Sequence, residues 1–175
     1  MKVCKLSTPV AILLLFTGIA SATGQSMQSV VSAEGNFTAR IPGTVQRAQK
    51  LREFKDGKTA TEYRYYSVLE NDHIAYAVIY SDMPTKAEVG KEQYVLEKAR
   101  DAVFSTDPGK KLLTDSSIVL NGVPGRAFTI RRGNGATYAA RVFVKGYRLY
   151  QLVVSCDSGY TADQTKEFME SFQIK

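Results

Sequence analysis

Short turn signals recur along this chain at strand-length intervals. Asp56-Gly57, Asn71-Asp72, Asn121-Gly122 and Lys145-Gly146 each separate two runs of strand-forming residues, and Gly133-Asn134-Gly135 does the same with three. Connections this short join antiparallel neighbours, because a parallel pair needs a crossover of a dozen residues or more. The runs between them predict strands over 36–41, 50–54, 59–69, 74–80, 112–120, 126–131, 138–144 and 148–154. Over 74–80, Ile74, Tyr76, Val78 and Tyr80 share one face by the period of two, and Ala75, Ala77 and Ile79 share the other. Apolar residues on both faces predict a central strand covered on both sides.

Two stretches break this rhythm with helical spacing. After Met83-Pro84, Thr85 and Glu88 have the spacing of a capping box, and Val89, Leu96, Ala99 and Val103 form a stripe. Gly90 weakens the first turn, and Asp107-Pro108-Gly109 ends the segment. Near the C-terminus Thr161 and Gln164 repeat the cap, ahead of a stripe of Thr165, Phe168, Met169 and Phe172. The expectation is an α+β fold: a central antiparallel sheet of about seven or eight strands with helices packed on its faces.

The first 22 residues read as a cleavable export signal. Lys2 and Lys5 supply the basic start, residues 10–19 are almost wholly apolar, and Ala20-Ser21-Ala22 has the small-x-small pattern of a cleavage site before Thr23. The apolar run is about half the ~20 residues a spanning helix requires. No lipid-accepting cysteine stands at the cut, since Cys4 lies far upstream. The expected mature protein is therefore secreted or periplasmic, with no integral membrane anchor. Residues 23–32 are polar and without period, and read as a flexible lead-in to one domain over 33–175.

Cleavage removes two basic residues and no acidic one, so the net charge falls from +6 to +4. A mild excess of this kind favours anionic surfaces, but no dense Lys/Arg run marks a nucleic-acid face. The mature chain keeps only Cys156, which cannot form an internal disulfide. It follows Leu152-Val153-Val154 and reads as a buried strand-end thiol, with a bridge between chains as the competing reading. His73 is the one histidine, placed in a turn. One histidine and one cysteine make neither a zinc site nor an evident nucleophilic triad, and no cofactor is expected. Asp72, Asp82, Asp101, Asp107, Asp115 and Asp157 fall at turns or element ends, where backbone hydrogen bonding is their usual work.

Two features could form a binding site. Tyrosines crowd the strands, among them Tyr138 and Tyr150, either as core or as an aromatic groove. Arginines interrupt the last three strands at Arg126, Arg131, Arg141 and Arg148. A strand arginine is either held in an internal ion pair or presented to an anion. The candidate ligand-binding set is Arg126, Arg141, Tyr138 and Tyr150.

Several phrases together resemble PsbP-like domains. Residues 34–43 (EGNFTARIPG) resemble the opening strand, and 120–128 (LNGVPGRAF) the hairpin, with Ala127 where that pattern often has Glu. Residues 141–144 and 147–152 resemble the paired strands that follow, and 168–172 (FMESF) the closing helix. The resemblance implies a Mog1/PsbP-like sandwich. In photosynthetic organisms such proteins are extrinsic subunits that help photosystem II retain its ions, and exported bacterial relatives exist. The sparse catalytic inventory and the tyrosine-rich sheet, taken with this resemblance, point to a non-enzymatic binding or accessory domain of the cell envelope, with an envelope protein or an anionic ligand as partner. Two alternatives stand beside it: a hydrolase or lyase acting on an envelope polymer, and a carrier of a small ligand or lipid.

Overall fold

The computed structural model describes residues 26–53, 57–69, 73–84, 90–104, 109–157 and 162–175. The export signal and the Ala22/Thr23 cut lie outside the described residues, as do Thr85, Glu88, Val89 and Thr161 of the two expected caps.

Seven strands form one sheet: β3 (Gln46–Glu53), β4 (Thr59–Leu69), β5 (Ile74–Asp82), β6 (Lys111–Leu120), β7 (Val123–Arg131), β8 (Thr137–Lys145) and β9 (Arg148–Cys156). Their order is β3-β4-β5-β9-β8-β7-β6, with every neighbouring pair antiparallel. At the Asn121-Gly122 turn both residues have positive φ (49° and 80°), the backbone that closes a tight hairpin in register with the strand twist. His73 also sits in a left-handed turn (φ 52°) and is exposed.

A second sheet lies against one face of the first. It pairs β1 (Met27–Ser32) and β10 (Gln173–Ile174) on either side of β2 (Phe37–Pro42). The lead-in expected over 23–32 is thus a strand from Met27 onward. Its inward positions are Val30 and Ser32, and the buried Ser32 hydroxyl accepts the Gly35 amide (2.9 Å) and the Tyr65 hydroxyl (3.2 Å). A serine at a core position hides the alternation that would have marked the strand.

Helix α2 (Ala162–Ser171) joins that second layer. The Ser171 hydroxyl accepts the Arg40 amide of β2 (2.8 Å), and Glu167 pairs with Arg40 (3.2 Å). The two sheets and α2 enclose an aromatic core around Phe37, which is fully buried. Tyr65, Tyr80, Tyr150 and Phe172 stand 5.5–6.5 Å from it, and Tyr76 meets Phe168 edge-on at 5.4 Å. Core packing therefore explains these tyrosines.

The opposite face carries α1 (Glu92–Phe104). Gly90 takes φ +84°, outside the helical region, and the first turn of α1 opens on Glu92, which suits the helix dipole. Leu96 is fully buried against Phe128, Ile130, Ala140, Val142, Val144 and Leu149, a smaller core over β7, β8 and β9. This corrects the expectation for β5. Ile74, Tyr76, Val78 and Tyr80 are buried, but Ala75, Ala77 and Ile79 are only half-buried, because α1 packs over β7 and β8 and leaves them partly open. Cys156 is a buried thiol at the end of β9.

Candidate functional site

Register decides which candidate residues can meet. Arg126 pairs with Val142 and Ala127 with Arg141, so Arg126 and Arg141 lie on opposite faces of the sheet. Ile130 pairs with Tyr138, which places Tyr138 on the α1 face with Arg126. Phe143 pairs with Tyr150, which places Tyr150 on the α2 face with Arg141. The four residues do not form one site.

Two of them serve the scaffold. Arg126 forks onto Asp115 through Nε (2.6 Å) and Nη2 (2.7 Å), and its Nη1 reaches Glu97 of α1 at 3.4 Å. Arg100 of α1 binds the same Asp115 carboxylate and also Asp101. The cluster ties α1 to the β6–β7 hairpin. Hydrogen bonds from Arg126 hold the Asp115 carboxyl below its ordinary value, against the opposing effect of burial. Tyr150 is 2% exposed and donates its hydroxyl to the Gly35 carbonyl at 2.9 Å. Arg148 is similarly engaged: it forks onto Asp82 (2.7 Å twice) and lies 5.2 Å over the Tyr80 ring. That fork keeps the Asp82 carboxyl low and raises the Arg148 guanidinium. A general acid working near neutrality needs its carboxyl pushed upward, and both of these are moved the other way.

Tyr138 opens onto the part of the sheet that α1 leaves uncovered. A shallow cleft of about 340 Å³ there is lined by Lys50, Arg52, Glu62, Arg64, Ile79, Tyr138 and Gln151. Arg64 forks onto Glu62 (2.5 and 2.8 Å) and Arg52 approaches it at 3.5 Å. The Glu62 side chain is 8% exposed, while those of Arg52 and Arg64 are both 43% exposed. A buried carboxylate thus anchors two arginines whose outer edges face water. Arg132 lies 5.9 Å from the Tyr138 ring, and burial pushes the Tyr138 phenol up to about 12. A second cleft of about 280 Å³, between α1 and the sheet, continues from Arg52 and Gln151 to Lys98. Lys50, Arg52 and Arg64 were not among the sequence candidates. Their signal was the spacing of two between Lys50 and Arg52, which puts both on one face.

Arg141 stands apart. Its Nη1 donates to the Met169 carbonyl near the end of α2 (3.1 Å), one of the terminal carbonyls that lack a partner within the helix. Among the described residues it has no carboxylate partner. It lines a cleft beside α2 on the face opposite Tyr138.

Among the described residues no group of three or more His, Cys, Asp or Glu could hold a metal ion, and no helix is long and apolar enough to cross a membrane.

No family model and no curated protein sequence matches the chain. A solved structure does: the solution structure of cyanobacterial PsbP (CyanoP) from Synechocystis sp. PCC 6803, at TM-score 0.60 and 16% identity, over 91% of this chain and 99% of that one. The likeness agrees with the layer order described above, a seven-stranded antiparallel sheet with helices packed on it, and the fold of this chain is PsbP-like.

Proposed function

We infer that this protein is an exported, non-enzymatic binding or accessory domain of the cell envelope, and that it holds an acidic partner on the open half of its sheet. One observation carries the reading. Helix α1 covers only part of its face, and beside it Lys50, Arg52 and Arg64 gather around the buried Glu62 carboxylate. These cations lie on a firm strand surface next to half-buried Tyr138 and Ile79. Arginine forks fixed by a buried carboxylate lose little freedom on meeting a second anion. The PsbP-like fold supports an accessory role, and the clamped state of Asp82 and Asp115 favours binding over acid chemistry. A carrier would call for an enclosed cavity, whereas the clefts described here are open and the two cores are filled by packed side chains.

The test is affinity capture from native envelope extract with the mature chain and with its Lys50→Glu/Arg52→Glu variant. An acidic partner should bind the wild type, leave at ~1 M salt, where screening acts within about 3 Å, and bind the variant at least tenfold more weakly. Equal, salt-insensitive capture by both proteins overturns the reading.

A further inference from the structure

We propose that the cleft beside α2 is a separate binding site for a phosphate monoester group, with Arg141 as its principal donor. The cleft, about 290 Å³, lies on the face opposite the open basic half. Its floor follows from register. Ser116, Ala127 and Arg141 form one row across β6, β7 and β8, and Thr114, Thr129 and Ala139 form the next. Ala127 and Ala139 are too small to fill the space in front of them, so a hollow remains between α2 and the edge strand.

Donors stand on three sides of that hollow, with Met169 among its apolar lining. Arg141 stands at one side, Thr114 and Ser116 at the other, and Thr165 and Lys166 descend from α2. Among the described residues no carboxylate lines it. Arg141 uses one N–H for the Met169 carbonyl, and a guanidinium carries five. The contrast with Arg126 is informative, because that side chain has a carboxylate fork and a second acid within reach. A planar carboxylate would use donors from one direction. A tetrahedral group with three terminal oxygens suits donors on three sides, and Arg with Ser/Thr hydroxyls is a usual phosphate environment. The cleft is wider than the anion alone needs, which leaves room for the group that carries it.

Ala127 supplies the means of testing this without deleting the arginine. It is directly opposite Arg141, and facing side chains have Cβ atoms roughly 4.5–5.5 Å apart. A Glu at that position would place an internal carboxylate on the guanidinium and compete with any ligand.

The experiment is an NMR titration of the mature protein at constant ionic strength, reading the Arg141 Nε–H and the Ala127 and Thr129 amides. The probes are inorganic phosphate, glycerol 3-phosphate, and phosphatidylcholine vesicles with and without phosphatidate. Phosphate should give saturable shifts confined to the cleft, and glycerol 3-phosphate should bind at least as well. Ala127→Glu should weaken both at least tenfold, and Lys166→Gln severalfold, with unchanged thermal midpoints. Arg141→Gln should abolish the shifts, and Ala127→Glu keeps the test valid if loss of the Met169 contact unfolds that variant. Lys50→Gln should leave the titration unaltered, which separates this site from the proposed docking face. Stronger binding to phosphatidate vesicles than to glycerol 3-phosphate assigns the group to a lipid; the reverse assigns it to a soluble ester. Absence of saturable shifts, or shifts that persist in Ala127→Glu, overturns the proposal.

Discussion

The two faces of the seven-stranded sheet are built from different kinds of residue. On the face toward β2 and α2, β4, β5 and β9 present Tyr65, Tyr76, Val78, Tyr80, Tyr150, Leu152 and Val154, all buried. On the other face the same three strands present Arg64, Tyr66, Ala77, Ile79 and Gln151, which stay partly or fully exposed. Among the described residues, the core cluster of this second face lies under α1, with Leu96 against Phe128, Ile130 and Val142. The difference teaches where stability and recognition reside. A full layer over one face releases half of the other face from structural duty, and there cations can be displayed.

Removing a central side chain from each core gives the largest test of this asymmetry. Phe37→Ala should cost about 3–5 kcal/mol, because the ring is fully buried among four aromatic neighbours. Leu96→Ala in the smaller core should cost about 2–3 kcal/mol, toward the lower end for such changes. Urea denaturation measures both. If Leu96→Ala proves the more damaging, the faces are not ranked as described.

The ion cluster between α1 and the β6–β7 hairpin gives an intermediate effect. Asp115→Ala leaves Arg126 and Arg100 without their shared carboxylate at side-chain exposures of 14% and 20%, and should cost about 2 kcal/mol. The pH dependence has a definite sign. The folded Asp115 carboxyl is held below its unfolded value near ~3.9. Its contribution is therefore complete above that unfolded value and is lost as pH falls through the folded one. Stability followed from pH 6 to pH 2 should decline less steeply in Asp115→Asn than in the wild type. Parallel curves would show that the fork contributes nothing to holding α1.

Much of this architecture was legible because its signals are local. Alternation in Ile74–Asp82 and the Asn121-Gly122 turn each state a strand or a hairpin within a few residues. The second sheet was not legible. β1 places Ser32 where an apolar residue would announce the core, and β10 has two residues, too few for any period. The stripe of Leu96, Ala99 and Val103 announced α1, but its opening at Glu92 was not legible, because it rests on Gly90 taking a positive φ just before it. The candidate site failed for a different reason. Each arginine was visible, but whether Arg126 and Arg141 share a face depends on a single residue of register across the 132–136 loop. Loop length in sequence does not settle that register, so the pair could be named but not placed.

The smallest predicted effect is the sharpest test of the open half. Val68 on β4 and Val78 on β5 occupy neighbouring strands but opposite faces, as the pairings Val68↔Ala75 and Tyr65↔Val78 require. Val68 is 56% exposed and Val78 is fully buried. Thr replaces Val with nearly the same shape and keeps the β-branching that strands favour. At Val78 it would bury a hydroxyl among aromatic rings, which costs about 1–3 kcal/mol on protein mutational scales. At Val68 the hydroxyl stays in water, so the change in unfolding free energy should remain within about 0.5 kcal/mol. A large loss at Val68 in the isolated protein would mean that this surface is already covered within the folded chain. The open half would then be narrower than described, ending before Val68 and limited to the end of β4 that carries Glu62 and Arg64.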